Sequence, residues 1–237
     1  MSTQITTAFV NQFSSNVQML SQQMGSLLRS SVDEESVTGE KAYFDQIGSV
    51  AAQKRTSRHQ DTPLVTTPHS RRQLTLVDYE WADLVDSADM VKTLIDPTSS
   101  YAKAAAAAMG RSIDDEIIAA ALGTAKTGKE GGTSTTFPAG QQVGVGSPAA
   151  GLTIAKLVNA KKILDANNVD PSMPRFIAVS PEQIEDLLNN TTATSADYNT
   201  VRLLATGAID SFVGFKFITS NRLGTDSSSY RRVIAWA

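Results

Sequence analysis

Residues 46–96 read "QIGSVAAQKRTSRHQDTPLVTTPHSRRQLTLVDYEWADLVDSADMVKTLID", and this stretch decides how the chain folds. Arg55, Arg58, Asp61, Arg71, Arg72, Asp78, Asp83 and Asp86 are spaced through it, with no apolar stripe at helical spacing. Leu74 and Leu76 alternate with polar neighbours, the pattern of extended strands. Such an extension buries too little apolar surface to offset its own chain entropy. It has to lie on something else, most simply a neighbouring copy of the same protein. The pattern points to an assembly and away from a lone enzyme.

Composition narrows the classes further. At 237 residues the chain suffices for one sizeable domain or two small ones. Its 41% hydrophobic and 19% charged content is that of a globular protein. The net charge of −3 advertises no polyanion partner. The absence of cysteine removes disulfides, thiol nucleophiles and zinc–thiolate sites together. Only His59 and His69 offer imidazole ligands, and both lie in the charged stretch, so no metal site and no cofactor are expected. No apolar run approaches the length of about eighteen residues that a transmembrane helix requires. The opening Met-Ser-Thr-Gln has neither the basic flank nor the apolar core of a secretory signal. A soluble, non-secreted protein without membrane contact is expected.

Outward from the charged stretch, residues 1–41 carry Ile5, Phe9, Val10, Phe13, Val17, Leu20, Met24, Leu27 and Leu28 at spacings that fit one or two amphipathic helices. Two readings stand open: a mobile arm, or an arm packed on a neighbouring subunit. At Asp96-Pro97 an N-cap and a first-turn proline open the strongest helix in the sequence, 97–123. Its alanines favour helix, and its length is roughly 40 Å at 1.5 Å per residue. Tyr101, Ala105, Ala108, Met109, Ser112, Ile113, Ile117, Ala120 and Ala121 form an apolar to small face. Gly110 weakens the middle by about 1 kcal/mol against Ala, and Gly123 is a natural terminator.

Residues 126–151 are rich in Gly, Ser and Thr and read as a hairpin or loop. A second helix follows, capped by Thr153, and then a short apolar strand over 174–179. Ser180-Pro181-Glu182-Gln183 spells a capping box with proline at N1, opening a helix over Ile184, Leu187 and Leu188. After a polar loop and the segment 201–208, residues 214–219 and 231–236 read as final strands. Helices and strands mix in α+β fashion, without regular βαβ alternation.

Signals for chemistry are weak. Gly123 to Glu130 nearly spells a phosphate-binding loop, but Glu130 replaces the magnesium-binding hydroxyl and a helix precedes the motif where a strand is needed. Asp114, Asp115 and Glu116 are consecutive on a helix, point different ways, and read as a solvated face. Ser180 lacks the glycines of a nucleophile elbow. No catalytic residue emerges. Lys54, Arg55, Arg58, Arg71 and Arg72 are the one basic concentration, without interleaved aromatics for base stacking. Acidic residues Asp78, Glu80, Asp83, Asp86 and Asp89 follow it. A basic and an acidic limb on one hairpin suit charge pairing between copies; a solvated loop and a nucleic-acid contact are the other readings.

With these residues in place the chain resembles the major capsid proteins of tailed double-stranded DNA bacteriophages, with their Hong Kong 97-like fold. The phrases "RTSRHQDTP", "YEWADLVDSAD", "YAKAAAAAMGRSIDDEII", "RFIAVSPEQIEDLL" and "IDSFVGFKFITSNRL", scattered through residues 55–223, carry the likeness. The resemblance implies an N-terminal arm at 1–44 and an extended loop at 45–95. It implies a spine helix with peripheral-domain strands at 96–150, and a mainly axial domain at 151–237. The family pattern runs on past a strand such as "RRVIAWA", so part of the peripheral sheet is expected to lie beyond Ala237. The function implied is structural: many copies in hexameric and pentameric capsomers tile an icosahedral head around double-stranded DNA, without sequence-specific binding. Assembly in the bacterial host cytoplasm, with scaffolding, portal and decoration proteins as partners, follows from the same likeness. The subunit interface is expected to use Arg55, Arg58, Asp61, Arg71, Arg72, Asp78, Asp83 and Asp86. The alternatives are an encapsulin-like compartment, which would enclose cargo protein, and a small soluble enzyme, which would need a convergent site.

Overall fold

The computed structural model describes residues 21–83, 98–146, 149–189 and 211–237. The chain divides into two compact units, Met1–Ser26 with Asp78–Asp114, and Leu27–Val77 with Asp115–Ala237. The elements run β1 (Lys41–Ile47), β2 (His69–Thr75), α1 (Thr98–Leu122), β3 (Ala125–Thr127), β4 (Thr133–Thr135) and α2 (Ile154–Ala166). They continue as β5 (Arg175–Val179), α3 (Pro181–Leu188), β6 (Ser211–Phe212), β7 (Phe215–Thr219) and β8 (Ile234–Trp236). The mixture of helix and sheet is the α+β order expected. The Asp96-Pro97 cap, the segment 201–208 and Asp86 lie outside the described residues.

In the larger unit, the run Arg175-Phe-Ile-Ala-Val179 becomes a central strand because it can be covered on both faces. The sheet order is β6-β7-β5-β8, with β5 parallel to β7 and antiparallel to β8. Ile177 and Val179 face one core with Leu152, Leu157, Leu187 and Phe215, where α2 and α3 pack. Ala178 faces the other, with Leu28, Ile118 and Leu223. Fully burying side chains the size of Ile177, Leu157 or Phe215 stabilises by about 1.5–3 kcal/mol each. Thr153 caps α2 by accepting from the Lys156 amide. Ser180 and Gln183 form the complete capping box of α3, and the Gln183 side-chain amide also donates to the Arg231 carbonyl at 3.1 Å. That bond ties the start of α3 to the chain entering β8. Trp236 stacks on Phe176, ring centroids 5.9 Å apart, and donates through Nε1 to the Ser31 carbonyl at 2.9 Å.

Of the arm's apolar positions, Ile5 to Leu20 lie outside the described residues, and the rest departs from the sequence expectation. Among the described residues, 21–28 form no helix, and the first helical turn is a short 3-10 turn at Arg29–Ser31. Leu28 is buried against Ile118, Ala178 and Leu223 of its own chain. Leu28 thus serves the core of the chain itself from an irregular segment, while Met24 and Leu27 are exposed.

The smaller unit corrects the face of α1. Ala107, Gly110 and Asp114 are its buried positions there, spaced three and four apart. Met109 and Ile113, expected to face inward, are each 38% exposed. The cause is Asp114, read from sequence as solvated but fully buried. Its carboxylate accepts from the Gln23 side-chain amide at 2.6 Å and from the Ser26 hydroxyl. A buried carboxylate satisfied in this way can occupy a position that binary patterning assigns to solvent. The neighbouring Asp115, in the larger unit, forms an ion pair with Arg222. Gly123 ends α1 as anticipated; a Cβ there would stand 2.7 Å from the Ala119 carbonyl oxygen.

Candidate functional site

The extended stretch is a two-stranded antiparallel hairpin. Lys41 pairs with Thr75 at its base and Ile47 with His69 at its far end, and Gly48 N donates to the Pro68 carbonyl at 2.9 Å. Strand β2 continues into β3 through two residue pairs, Arg72–Thr127 and Gln73–Lys126, and β3 pairs with β4. The near phosphate-loop motif at Gly123–Glu130 thus forms β3 and its turn, after a helix, as its context foretold. Strand β1 is an edge of this sheet. Beyond Gly48 and Pro68, residues 49–67 carry no strand, and all are exposed.

Period-2 alternation gives the hairpin two unlike faces. On one, Arg71 lies opposite Asp45 in the register and donates to it twice, Nε to Oδ1 at 2.5 Å and Nη2 to Oδ2 at 2.9 Å. The Arg71 guanidinium carbon also sits 5.8 Å from the centre of the Tyr43 ring, and Nη1 donates to the Lys129 carbonyl at 3.4 Å. The hydrogen bonds from Arg71 hold the Asp45 carboxyl below its ordinary pKa; the charges of Arg71 and His69 add to this, and partial desolvation opposes it. Gln73 packs over Gly131, where a Cβ would come within 1.6 Å of its Oε1. Gly131 also has φ +69°, a backbone conformation that favours glycine.

On the other face, Phe44 lies opposite Arg72 and Ala42 opposite Leu74. Leu76 extends the row, its amide donating to the Glu40 carbonyl at 3.0 Å. Leu74 and Leu76 are nearly half exposed, and Arg72 is exposed without an ion pair among the described residues. The Asp45–Arg71 face also exposes apolar groups, Tyr43 at 45% and Ile47 at 70%, and in the loop beyond the strands Leu64 is 98% exposed.

The expected interface residues are distributed as follows. Arg55 donates to the carbonyls of Ser57 and Arg58, which shapes the tip. Arg58, Asp61, Asp78 and Asp83 are exposed and make no ion pair among the described residues. Arg71 has a partner in its own chain, Asp45, which sequence reasoning did not name. The signal was present: an antiparallel ladder closed between Gly48 and Pro68 sets residue 45 opposite residue 71. Among the described residues no group of acidic residues and histidines is arranged to hold a metal, and no helix is long and apolar enough to cross a membrane.

Comparison with solved structures places this architecture. The capsid of cyanophage P-SCSP1u matches with a TM-score of 0.63 at 17% identity, covering 94% of this chain and 72% of that one. Mycobacterium phage Che8 matches with a TM-score of 0.58 at 19% identity, covering 92% and 77%. The mature capsid of bacteriophage PhiM1 matches with a TM-score of 0.59 at 15% identity, covering 96% and 76%. These likenesses show the fold, which is that of phage capsid proteins. A search of curated protein sequences finds no significant match. The model of the phage capsid protein family matches residues 5–237, which favours a virion shell over an encapsulin-like compartment. With nearly the whole chain so matched and the fold in agreement, the chain belongs to the phage capsid protein family and is a structural protein of the virion shell.

Proposed function

We propose that the chain is the major subunit of an icosahedral head, forming hexameric and pentameric capsomers around double-stranded DNA without sequence-specific contact and without catalysis. In this reading it assembles in the host cytoplasm, with scaffolding, portal and decoration proteins as partners. The regions 1–44, 45–95, 96–150 and 151–237 act as arm, extended loop, spine with peripheral strands, and mainly axial domain. The observation that carries the proposal is the hairpin: two long strands and a wholly exposed 49–67 loop that present apolar side chains to solvent. Large apolar side chains left exposed on one copy, Ile47, Leu64, Leu74 and Leu76 among them, call for cover from another. Arg55, Arg58, Asp61, Arg72, Asp78, Asp83 and Asp86 supply the polar contacts of that interface, and Arg71 enters it already paired with Asp45.

Electron microscopy of the purified protein tests this directly. Closed or partial shells, or capsomers, are the expected outcome. A compact monomer persisting at high concentration by light scattering, with its hairpin protected from solvent, would refute the reading.

A further inference from the structure

Among the described residues, neither core of the larger unit includes a residue of the hairpin. Strand β2 meets β3 over two residue pairs, Arg72–Thr127 and Gln73–Lys126, and a ladder so short and exposed opens easily by itself. The turn between β3 and β4 stiffens the junction. Gly128 and Gly131, at φ +90° and +69°, fold it back so that the Gly131 amide donates to the Gly128 carbonyl at 3.2 Å. Arg71 and Gln73, the two half-buried residues of β2, lean on this turn. Arg71 Nη1 donates to the Lys129 carbonyl at 3.4 Å, and Gln73 packs over the bare backbone of buried Gly131. A phosphate loop would present amide N–H groups to an anion; this turn presents a carbonyl to a cation.

We propose that the 128–131 turn is the seat of the hairpin within its own chain, with Arg71, Gln73 and Gly131 as positioning residues that fix the hairpin's direction for assembly. The glycine-rich turn serves through backbone shape and not through a ligand. Its value rests on the shell-forming function and lies in preorganisation: an interface element already held in one direction gives up less freedom on docking. Arg71 is suited to the task because its planar fork reaches Asp45 and the Lys129 carbonyl at once, which ties the inner clamp of the hairpin to its seat.

The chain has no cysteine, so Ser70→Cys on β2 and Glu185→Cys on α3 take a pair of spin labels without background. The distance between them is measured below the concentration at which shells form, and assembly is followed by light scattering. Gly131→Ala sets a Cβ against Gln73 at a backbone angle that disfavours it, and is expected to broaden the distance distribution. Gly132→Ala is the control, because a Cβ there meets nothing within 4 Å. Arg71→Lys keeps a cation for Asp45 but gives up the fork that also reaches Lys129. It is expected to broaden the distribution while hydrogen exchange shows β1 and β2 still paired. Both variants are expected to raise the concentration needed for shells by about threefold to tenfold, and Gly132→Ala to leave it unchanged. Should Gly131→Ala not fold, Arg71→Lys decides. Parental distributions in both variants overturn the proposal, and so does parental assembly despite broadened distributions. If the parent chain itself forms no shells, the shell-forming function falls, and the distributions alone decide the seat.

Discussion

Gly25 passes so close to Gly110 of α1 that a Cβ on Gly110 would stand 2.5 Å from the Gly25 Cα and 2.5 Å from its carbonyl carbon. Taken alone, glycine in the middle of this helix costs about 1 kcal/mol relative to alanine. The close crossing reverses that expectation, because the obstacle is backbone and cannot swing aside as a side chain would. Overpacking of this kind costs about 1–3 kcal/mol. Gly110→Ala is therefore expected to lower the thermal unfolding midpoint. A rise in the midpoint would show that the crossing yields and that helix propensity wins.

Asp114 anchors the same crossing. Its carboxylate takes hydrogen bonds from Gln23 and Ser26, while Arg111 on the preceding turn donates to the Gln22 side chain at 2.9 Å. Asp114→Ala strips those donors of their acceptor, at about 1–3 kcal/mol for a buried group left unsatisfied. Chemical denaturation should register that loss, and limited proteolysis should cut faster near residues 22–26. Unchanged cutting would mean that the segment is held elsewhere.

How far sequence could go is clear at these positions. The capping box at Ser180, the Thr153 cap, the apolar strand at 175–179 and the end of α1 at Gly123 are local patterns, each written within a few consecutive residues. Asp114 is the opposite case. Its burial depends on Gln23 and Ser26, about ninety positions away, and no periodicity of α1 encodes them. The inward face of the helix was accordingly misplaced toward Met109 and Ile113. The hairpin was legible as extended chain, but the alternation of its two faces needed the register, which fixes Arg71 against Asp45 and leaves Arg72 on the other side.

Arg175 offers a test of sign. Only 5% exposed, it forms an ion pair with Asp165 at 2.6 Å and donates to the Val169 carbonyl at 3.3 Å, but its Nε has no hydrogen-bond partner among the described residues. A buried charge with incomplete compensation recovers little of its desolvation cost. Arg175→Met, which retains the apolar stem, is expected to be near neutral or stabilising. Asp165→Ala, which leaves the guanidinium buried and unpaired, is expected to destabilise by about 1–3 kcal/mol, less than a fully buried pair would because Asp165 is half exposed. Equal losses for the two variants in urea unfolding would show that the pair is a net stabiliser.

The Asp45–Arg71 pair makes the hairpin sensitive to acid. The pKa of Asp45 is lowered in the folded chain, first by the hydrogen bonds from Arg71. A carboxyl with a depressed folded value contributes its full stabilisation above the ordinary aspartate value and loses it as pH falls through the depressed one. Arg71 is shifted the opposite way, upward, so its side of the pair changes only in strong alkali. Local opening of β1 and β2, followed by hydrogen exchange corrected for the intrinsic pH dependence, should therefore increase on acidification below the ordinary aspartate range and stay flat near neutrality. Asp45→Asn should remove this step and leave the strands at their acid-state protection at all pH values. If the variant opens with the same acid profile as the parent, another carboxylate controls the hairpin and the clamp is not Asp45.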